Sequence, residues 1–313
     1  MRMPSIAGRT LLVTGAGGFI GSTLVRLLAQ RGATVRAVDA APRARRRRGP
    51  RSVTTARGDV TKLSAIAALA DGVDAVVHLA GPASVTASFE ASRRYVRTHV
   101  LGTATVLEAC RRHGIRRFVY ISSAEVYGRP AAHRVGEDAA LEPRSPYAAA
   151  KVGAEKLVEV FATTFGLEAV VLRPFAIYGP GISAESLIGT IIRQTRRGDA
   201  AVLRDLRPVR DFCYVEDLAD AIARACTAPL AGFTVLNVGT GRGTSVADVA
   251  RAIVRLRDRP IAVTANGNGH AAPAGPRDRL VADPRRTCRL LGWRPRTRLA
   301  TGLRRTMQWM DAR

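Results

Sequence analysis

A glycine-rich loop stands between an apolar run and a helical pattern near the start of this 313-residue chain. The loop, Thr14-Gly15-Ala16-Gly17-Gly18-Phe19-Ile20-Gly21, follows the β-type run Leu11-Leu12-Val13. Glycines let the backbone turn tightly and approach a bound group closely, and the start of a helix presents unpaired N–H groups. The loop therefore predicts a strand–turn–helix unit whose turn binds a pyrophosphate.

Short β-rich runs alternate with longer helical patterns along most of the chain, which is typical of a doubly wound parallel sheet. We predict strands at Thr10–Thr14, Thr34–Val38, Val53–Arg57, Ala75–Leu79, Phe118–Ser122, Glu168–Leu172 and Phe233–Val238. We predict helices at Gly18–Arg31, Leu63–Ala70, Phe89–His113, Ser145–Phe165, Ala184–Arg197, Val215–Cys226 and Val246–Leu256. The predicted fold is α/β, a Rossmann-type sheet with a smaller interleaved C-terminal domain. Residues 1–172, rejoined by about 209–241, form the dinucleotide domain, and 173–208 with 242–313 form the substrate domain.

The formal net charge of +24 does not by itself indicate a nucleic-acid binder. Only three of the 49 basic residues are lysines, and the arginines are spread through nearly every segment rather than gathered into a stripe. The dense run Arg43–Arg48 is interpreted as a solvated loop. The four cysteines have no metal-ligand spacing, and no apolar run approaches the ~20 residues of a membrane span. We expect a cytoplasmic protein without metal, membrane or nucleic-acid partners.

The residue after the second predicted strand bears on the choice of dinucleotide. Asp39 can accept hydrogen bonds from the adenosine ribose, which favours NAD because its carboxylate repels a 2′-phosphate. The arginines at Arg43–Arg48 keep NADP open as an alternative, since an arginine there can hold that phosphate. Asp59, after the third strand, either contacts the adenine or caps the following helix.

Tyr147 and Lys151 lie four residues apart in an alanine-rich segment, so a helix places them on one face. A tyrosine ordinarily ionises near pH ~10, and we expect the adjacent ammonium to lower that pKa. The phenolate can then take a proton from a substrate hydroxyl. Ser123, at the end of the fifth strand, supplies a second hydrogen bond to the same oxygen. Combined with the glycine loop, this set predicts an oxidoreductase-type active site.

The chain resembles the extended short-chain dehydrogenase/reductase superfamily, in its NAD-dependent epimerase/dehydratase branch, over almost its whole length. The motifs that carry the resemblance are TGAGGFIG (14–21), GDV (58–60), HLAG (78–81), ASVTAS (83–88), SSAEVYG (122–128), SPYAAAK (145–151), RPFAIYGPG (173–181), VRDFCYVEDLADA (209–221), NVGTG (237–241) and LGW (291–293). The resemblance implies a nucleotide-diphosphate sugar as substrate. It also implies a homodimer through the helices at 89–113 and 145–165.

The resemblance assigns roles position by position. The catalytic residues are Ser123, Tyr147, Lys151 and Glu125. The cofactor-binding residues are Gly15, Gly17, Gly18, Phe19, Ile20, Gly21, Asp39, Asp59, Val60, Leu79, Ala80, Gly81, Ile121, Tyr147, Lys151 and Pro174. The substrate-binding residues are Ser84, Ser88, Ser123, Ala176, Leu187, Val202, Arg210 and Arg277. For Arg210, which matches a diphosphate-binding arginine, a structural salt bridge with Asp211 or Asp217 is the alternative.

Several departures from the family pattern bear on the reaction. Ala176 and His99 stand where the family often has Asn, and Arg277 is the nearest match to a further substrate arginine. Ala124-Glu125 stands where the 4,6-dehydratases carry Asp-Glu, so the acid for elimination of water is missing. The leading hypothesis is an NAD-dependent nucleotide-sugar 4-epimerase that acts through a 4-keto intermediate. The alternatives are a reductase of a 4-keto-6-deoxysugar nucleotide, a UDP-glucuronate decarboxylase, and a non-catalytic dinucleotide- or RNA-binding relative.

Overall fold

The structure is a computed structural model, and it describes residues 4–41, 51–266 and 278–313. Its strands, in chain order, are β1 (Thr10–Thr14), β2 (Thr34–Asp39), β3 (Val53–Arg57), β4 (Ala75–His78), β5 (Arg117–Ile121), β6 (Glu168–Pro174), β7 (Ala176–Tyr178), β8 (Ala200–Leu203), β9 (Val209–Arg210), β10 (Phe212–Tyr214), β11 (Phe233–Val238), β12 (Thr244–Ser245), β13 (Ala262–Ala265) and β14 (Arg279–Leu280). Seven of them form a parallel sheet in the order β11-β6-β5-β4-β1-β2-β3. This confirms the predicted Rossmann-type sheet.

The helices pack on both faces of this sheet and around the C-terminal part. They are α1 (Phe19–Gln30), α2 (Leu63–Ala70), α3 (Val85–Glu90), α4 (Ser92–Val96), α5 (Gly102–Arg112), α6 (Pro146–Phe165), α7 (Leu187–Arg197), α8 (Val215–Ala225), α9 (Val246–Arg255), α10 (Arg285–Leu291) and α11 (Leu299–Asp311). A π-helical turn, Arg97–Leu101, joins α4 to α5, and a 3-10 turn, Ala124–Tyr127, follows β5.

Side chains of β1 show how the sheet separates two cores. Leu11 and Val13 pack with helices α1 and α8 on one face, whereas Leu12 packs with α2, α5 and α6 on the other. Alternate residues of a strand point to opposite faces, so a strand that is apolar throughout becomes buried on both sides. All three residues are fully buried. The two layers of helices therefore fix the position of the sheet and of its carboxyl edge.

The C-terminal part has its own small sheets and its own core. Strands β7 and β10 pair, β13 pairs with β8, and β9 lies between β12 and β14. Helices α7, α9 and α11 pack together through residues such as Ile191, Ile253 and Leu303. The predicted return of the chain to the main sheet occurs at β11, which pairs with β6. The division into two domains remains a prediction.

The largest difference from the sequence prediction concerns the helix expected at Phe89–His113. Helix α3 ends at Glu90, and the backbone leaves the helical region at Ala91 (φ −125°, ψ 36°) before α4 begins. Helical propensity alone does not reveal such a break, because alanine is a strong helix former.

Among the described residues, no helix is long and apolar enough to span a membrane. The run Arg43–Arg48 lies outside the described residues.

Candidate active site

The glycine loop forms the turn between β1 and α1. Gly15 has a left-handed backbone (φ +69°), and a Cβ there would lie 2.8 Å from the Cα of Ala80. A Cβ on Gly21 would lie 2.2 Å from the carbonyl oxygen of Gly15. Only glycine permits this packing of the turn against the loop after β4. No side chain caps the N-terminus of α1, so its first N–H groups are available to a phosphate.

Asp39, the last residue of β2, lies beside this turn. Its Oδ2 accepts a hydrogen bond from the N–H of Gly17 at 2.9 Å, and its Oδ1 accepts one from the N–H of Ala41 at 3.0 Å. Each carboxylate oxygen has a second acceptor position, which suits the two hydroxyls of a ribose. Asp59 is exposed, and hydrogen bonds from Thr61 hold the pKa of its carboxyl below the usual value.

A cleft of about 870 Å³ opens along the carboxyl ends of the central strands. From β1 the chain first adds β2 and β3 on one side of the sheet, and then adds β4, β5 and β6 on the other side. Ligands of such sheets bind at the point between β1 and β4 where the strand order changes direction. The structure places all the predicted cofactor residues on the wall of the cleft, together with Ser123 and Glu125. They are Gly15, Gly17, Gly18, Phe19, Ile20, Gly21, Asp39, Asp59, Val60, Leu79, Ala80, Gly81, Ile121, Tyr147, Lys151 and Pro174. The cleft is also lined by Arg94 and Arg97, which lie in no sequence motif, and by Phe175 and Ile177, which lie in the motif RPFAIYGPG but had no predicted role.

Tyr147 and Lys151 lie on the first turns of α6, on the face that packs against the sheet. Ser145 caps this helix by accepting a hydrogen bond from the N–H of Ala148. The Nζ of Lys151 donates to the carbonyl oxygen of Ile121 at 2.6 Å and lies 4.8 Å from the ring centroid of Tyr120. These contacts hold the ammonium at the end of β5, beside the cleft.

The pKa of Tyr147 differs from the sequence expectation. Burial raises it to about 12, and the hydrogen bond with Ser123 opposes that rise. Burial also lowers the pKa of Lys151 to about 7. Removing a phenol from water disfavours its charged form, and in this structure that effect exceeds the expected influence of the ammonium. Tyr147 is therefore protonated at neutral pH in the protein alone.

His99, noted above as a departure from the family pattern, lies in the π-helical turn against Gly81. Its Nε2 is 2.9 Å from the carbonyl oxygen of Pro82, so Nε2 carries the proton. Burial lowers the pKa of His99 to about 2, so the ring is neutral. Its ring packs edge-on against that of Tyr147 at 5.6 Å. The histidine therefore supports the tyrosine ring rather than acting as an acid.

A second cavity of about 260 Å³ adjoins the cleft at Glu125. Its wall carries the guanidinium side chains of Arg129, Arg144, Arg210 and Arg279, together with the carboxyl groups of Glu125 and Asp278. Burial raises the pKa of Glu125, and the nearby Arg210 opposes that rise. Arg210 pairs with Asp278 at 2.9 Å, not with Asp211 or Asp217. Asp211 is buried and instead accepts hydrogen bonds from Thr240, Gly241 and Ala282.

The remaining predicted substrate residues lie in several different environments. Ser84 caps α3, and Ser88 is buried with its hydroxyl donating to the carbonyl oxygen of Val85. Ala176 begins β7, Leu187 begins α7, and Val202 of β8 is bonded to Gln194. None of these five is among the described residues that line the two cavities. Arg277 lies outside the described residues. Their roles in binding substrate remain predictions.

Comparison with known proteins agrees with this geometry. Residues 11–239 match the model of the NAD dependent epimerase/dehydratase family. The chain belongs to this family of enzymes. The chain is 31% identical to a UDP-glucose 4-epimerase of Mycolicibacterium smegmatis, over 95% of this chain and 97% of that protein. It is 34% identical to a dTDP-glucose 4,6-dehydratase of Streptomyces griseus, over 96% of this chain and 93% of that protein.

Among solved structures, MoeE5 in complex with UDP-glucuronic acid and NAD superposes with a TM-score of 0.87. The two chains are 34% identical, and the superposition covers 97% of this chain and 99% of the MoeE5 chain. The family is NAD(P)-dependent, so the predictions of family, enzyme class and dinucleotide cofactor are confirmed. The glycine turn and Asp39 fit such a cofactor, because they combine a close backbone approach, free helix N–H groups and ribose acceptors. Within the described residues, no cluster of potential metal ligands is found.

Proposed function

We propose that this family member is a nucleotide-sugar 4-epimerase that uses NAD. The observation that carries the proposal is the placement of Ser123, Tyr147 and Lys151 on one wall of the cofactor cleft, next to the arginine-lined cavity. A sugar at Tyr147 would extend its diphosphate toward the arginines. Guanidinium groups suit this role because they donate paired hydrogen bonds to phosphate oxygens.

The side chains divide the work of the reaction. When bound, the dinucleotide supplies a hydride acceptor and donor at the sugar C4, and a positive charge that favours the Tyr147 phenolate. Tyr147 takes the proton of the C4 hydroxyl and later returns it. Ser123 donates a hydrogen bond to the same oxygen, and Lys151 favours the phenolate with its ammonium group. Rotation of the 4-keto sugar between the two transfers exposes its other face, which inverts C4.

Elimination of water is disfavoured by the residues that follow Ser123. A 4,6-dehydratase needs an acid and a base of opposed protonation, and here the pair is Ala124-Glu125. Ala124 is buried and supplies no proton, whereas Glu125 borders both cavities. The similarity to the Streptomyces griseus dehydratase therefore supports the shared family rather than the same reaction.

The test is proton NMR of the purified protein with UDP-glucose, UDP-N-acetylglucosamine or UDP-glucuronate, each with and without added NAD. UDP-glucuronate is included because the solved structure of MoeE5 is a complex with UDP-glucuronic acid and NAD. We expect new anomeric signals from the 4-epimer of one sugar, without net conversion of the cofactor. Loss of the carboxyl carbon from UDP-glucuronate would instead show a decarboxylase. Turnover only of a 4-keto sugar with NADPH or NADH would show a reductase.

We also propose a homodimer through α4, α5 and α6. Four apolar side chains on these helices and on the π-helical turn are about half exposed: Val96, Leu101, Val160 and Phe165. Such residues on adjoining helices would form an apolar surface, which a second copy could cover. Light scattering coupled to gel filtration measures the mass. A mass of one chain for the wild type, or a dimer unaffected by Val160→Glu, would contradict this assignment.

A further inference from the structure

A buried carboxylate, Glu155, lies directly behind the catalytic side chains. It follows Lys151 by four residues and Tyr147 by eight on α6, so all three lie on the same face of the helix. Tyr147, Lys151 and Glu155 are 7%, 4% and 2% exposed. Glu155 does not line the cleft, and no motif of the sequence analysis selected it.

The contacts of Glu155 join three segments of the active site. Its Oε1 accepts hydrogen bonds from the hydroxyl of Ser122 and, at 3.0 Å, from the Nε of Arg173. Its Oε2 accepts a hydrogen bond from Arg173 at 2.6 Å. Ser122 directly precedes Ser123, and Arg173 directly precedes Pro174 on the wall of the cleft. One carboxylate therefore connects the catalytic helix to the ends of β5 and β6.

Glu155 is also the charge that acts on Lys151. The pKa of Lys151 is lowered by burial, and Glu155 opposes that effect. The other titratable groups that contact or act on Lys151 come from four elements: His78 on β4, His99 in the π-helical turn, Tyr120 on β5 and Tyr147 on α6. Burial lowers the pKa of both histidines and raises that of both tyrosines, so these four side chains are neutral near pH 7.

We propose that Glu155 is a positioning residue of the reaction, which holds α6 in register with the ends of β5 and β6 and places a carboxylate one helical turn from Lys151. The inference rests on the proposed function in one respect, because it takes the Lys151 ammonium to be the active form. Without the carboxylate, Lys151 would lose its proton at a lower pH. The phenolate of Tyr147 would then lose its partner, and activity would fall at the alkaline end of the pH range.

The variant that tests this is the double substitution Glu155→Leu with Arg173→Met. Removing Glu155 alone would leave the Arg173 guanidinium buried without a counter-charge, whereas apolar replacement of both members of a buried pair is often tolerated. The matched control is Glu159→Leu with Lys156→Met, an exposed pair on the same helix, whose charged atoms are 2.8 Å apart. Thermal unfolding and NAD binding verify that both proteins are folded.

The primary measurement is the pH titration of lysine side chains by NMR of protein labelled with ¹³C-lysine. The chain has only three lysines, so Lys151 is assigned by its loss in Lys151→Arg. The double variant removes the attraction of Glu155 for the Lys151 ammonium and also the weaker repulsion of Arg173. We therefore expect the Lys151 midpoint to fall, by less than the about 1–3 units that one opposite charge produces. The pKa of the alkaline limb of the kcat/KM profile should fall by the same amount. In the control variant, that pKa and the Lys151 midpoint should both keep their wild-type values.

The outcomes separate this inference from the proposed function. A folded double variant with an unchanged Lys151 midpoint and an unchanged pH profile would overturn it, because Glu155 would then be only structural. A shifted midpoint in a protein that epimerises no sugar nucleotide would retain the role of Glu155 and reject the proposed function. If the double variant does not fold, Glu155→Gln with Arg173→Gln takes its place, and the same titration decides.

Discussion

The cofactor side of the cleft and the adjoining arginine-lined cavity differ in how the chain assembles them. On the cofactor side, the site residues end or follow strands of one parallel sheet, as Asp39, Gly15 and Ser123 do, or lie in the first turns of a helix. In the cavity, Arg210 comes from a two-residue strand, and its partner Asp278 lies 68 residues further along the chain. Parallel strands bring their carboxyl ends to one edge, so the first arrangement follows from chain order. The second depends on how the C-terminal segments pack.

The largest expected effect is on the cofactor side, at Tyr147. Tyr147→Phe removes the proton-transfer group and keeps the ring that packs against His99, so kcat should fall by about 10²–10⁴-fold. Binding of NAD, measured by calorimetry, should stay within about twofold, because the ring and Lys151 remain in place. Turnover equal to that of the wild type would remove Tyr147 from the mechanism.

The second prediction concerns the glycine turn. Gly21→Ala places a Cβ 2.2 Å from the carbonyl oxygen of Gly15, so the turn must open and NAD affinity should fall by about 10–100-fold. The control is Gly136→Ala, where an added Cβ meets nothing within 4 Å. Calorimetric titration with NAD checks both. Equal affinity in the two variants would mean that the turn does not form the dinucleotide site.

The third prediction moves to the arginine-lined cavity. Arg210→Met removes charge-assisted hydrogen bonds to the substrate diphosphate, each worth about 1.5–3 kcal/mol, so KM for the sugar nucleotide should rise by about 10–100-fold. NAD affinity should not change. Arg207→Met is the control, because Arg207 is half-exposed and bonds to Asp205. If Arg210→Met weakened NAD binding instead, the cofactor side of the cleft and the arginine-lined cavity would not bind their ligands independently.

The smallest expected effect concerns the choice between NAD and NADP. Asp39→Asn keeps an acceptor for the N–H of Gly17 and removes the negative charge, so the ratio of the two dissociation constants should shift toward NADP by about tenfold. The control is Asp74→Asn. Asp74 lies at the amino ends of β1 and β4, away from the cleft, so this variant changes the net charge equally and should leave the ratio unchanged. A wild-type preference for NADP would contradict the role given to Asp39.

The central sheet was predictable because its strands carry strong local signals. The bounds predicted for β1, β3 and β11 agree with the structure, and those of the other strands differ by one or two residues. Strands such as β9, β12 and β14 were not predicted, since two residues carry no detectable period. Helix α7 begins at Leu187 rather than Ala184, because Ser186 caps it by accepting from the N–H of Gly189.

The electrostatics of the site were less predictable than its positions. Spacing indicated that Lys151 lies beside Tyr147, but it did not indicate that burial raises the pKa of Tyr147 to about 12. Desolvation depends on every atom around a side chain, most of them distant in the sequence. Glu155 was missed for the same reason. Its partners Ser122 and Arg173 lie 33 and 18 residues away and meet it only in the folded protein.

The sequence by itself determined the parallel sheet, the glycine turn and the side chains that meet at the carboxyl edge, because these depend on local patterns and on the order of strands. Only the tertiary structure decided that Arg210 pairs with Asp278 and that Glu155 joins three segments behind the cleft. It also decided the protonation of Tyr147 and Lys151. Contacts between distant segments and the exclusion of water arise from packing, and packing leaves no periodic signal in the chain.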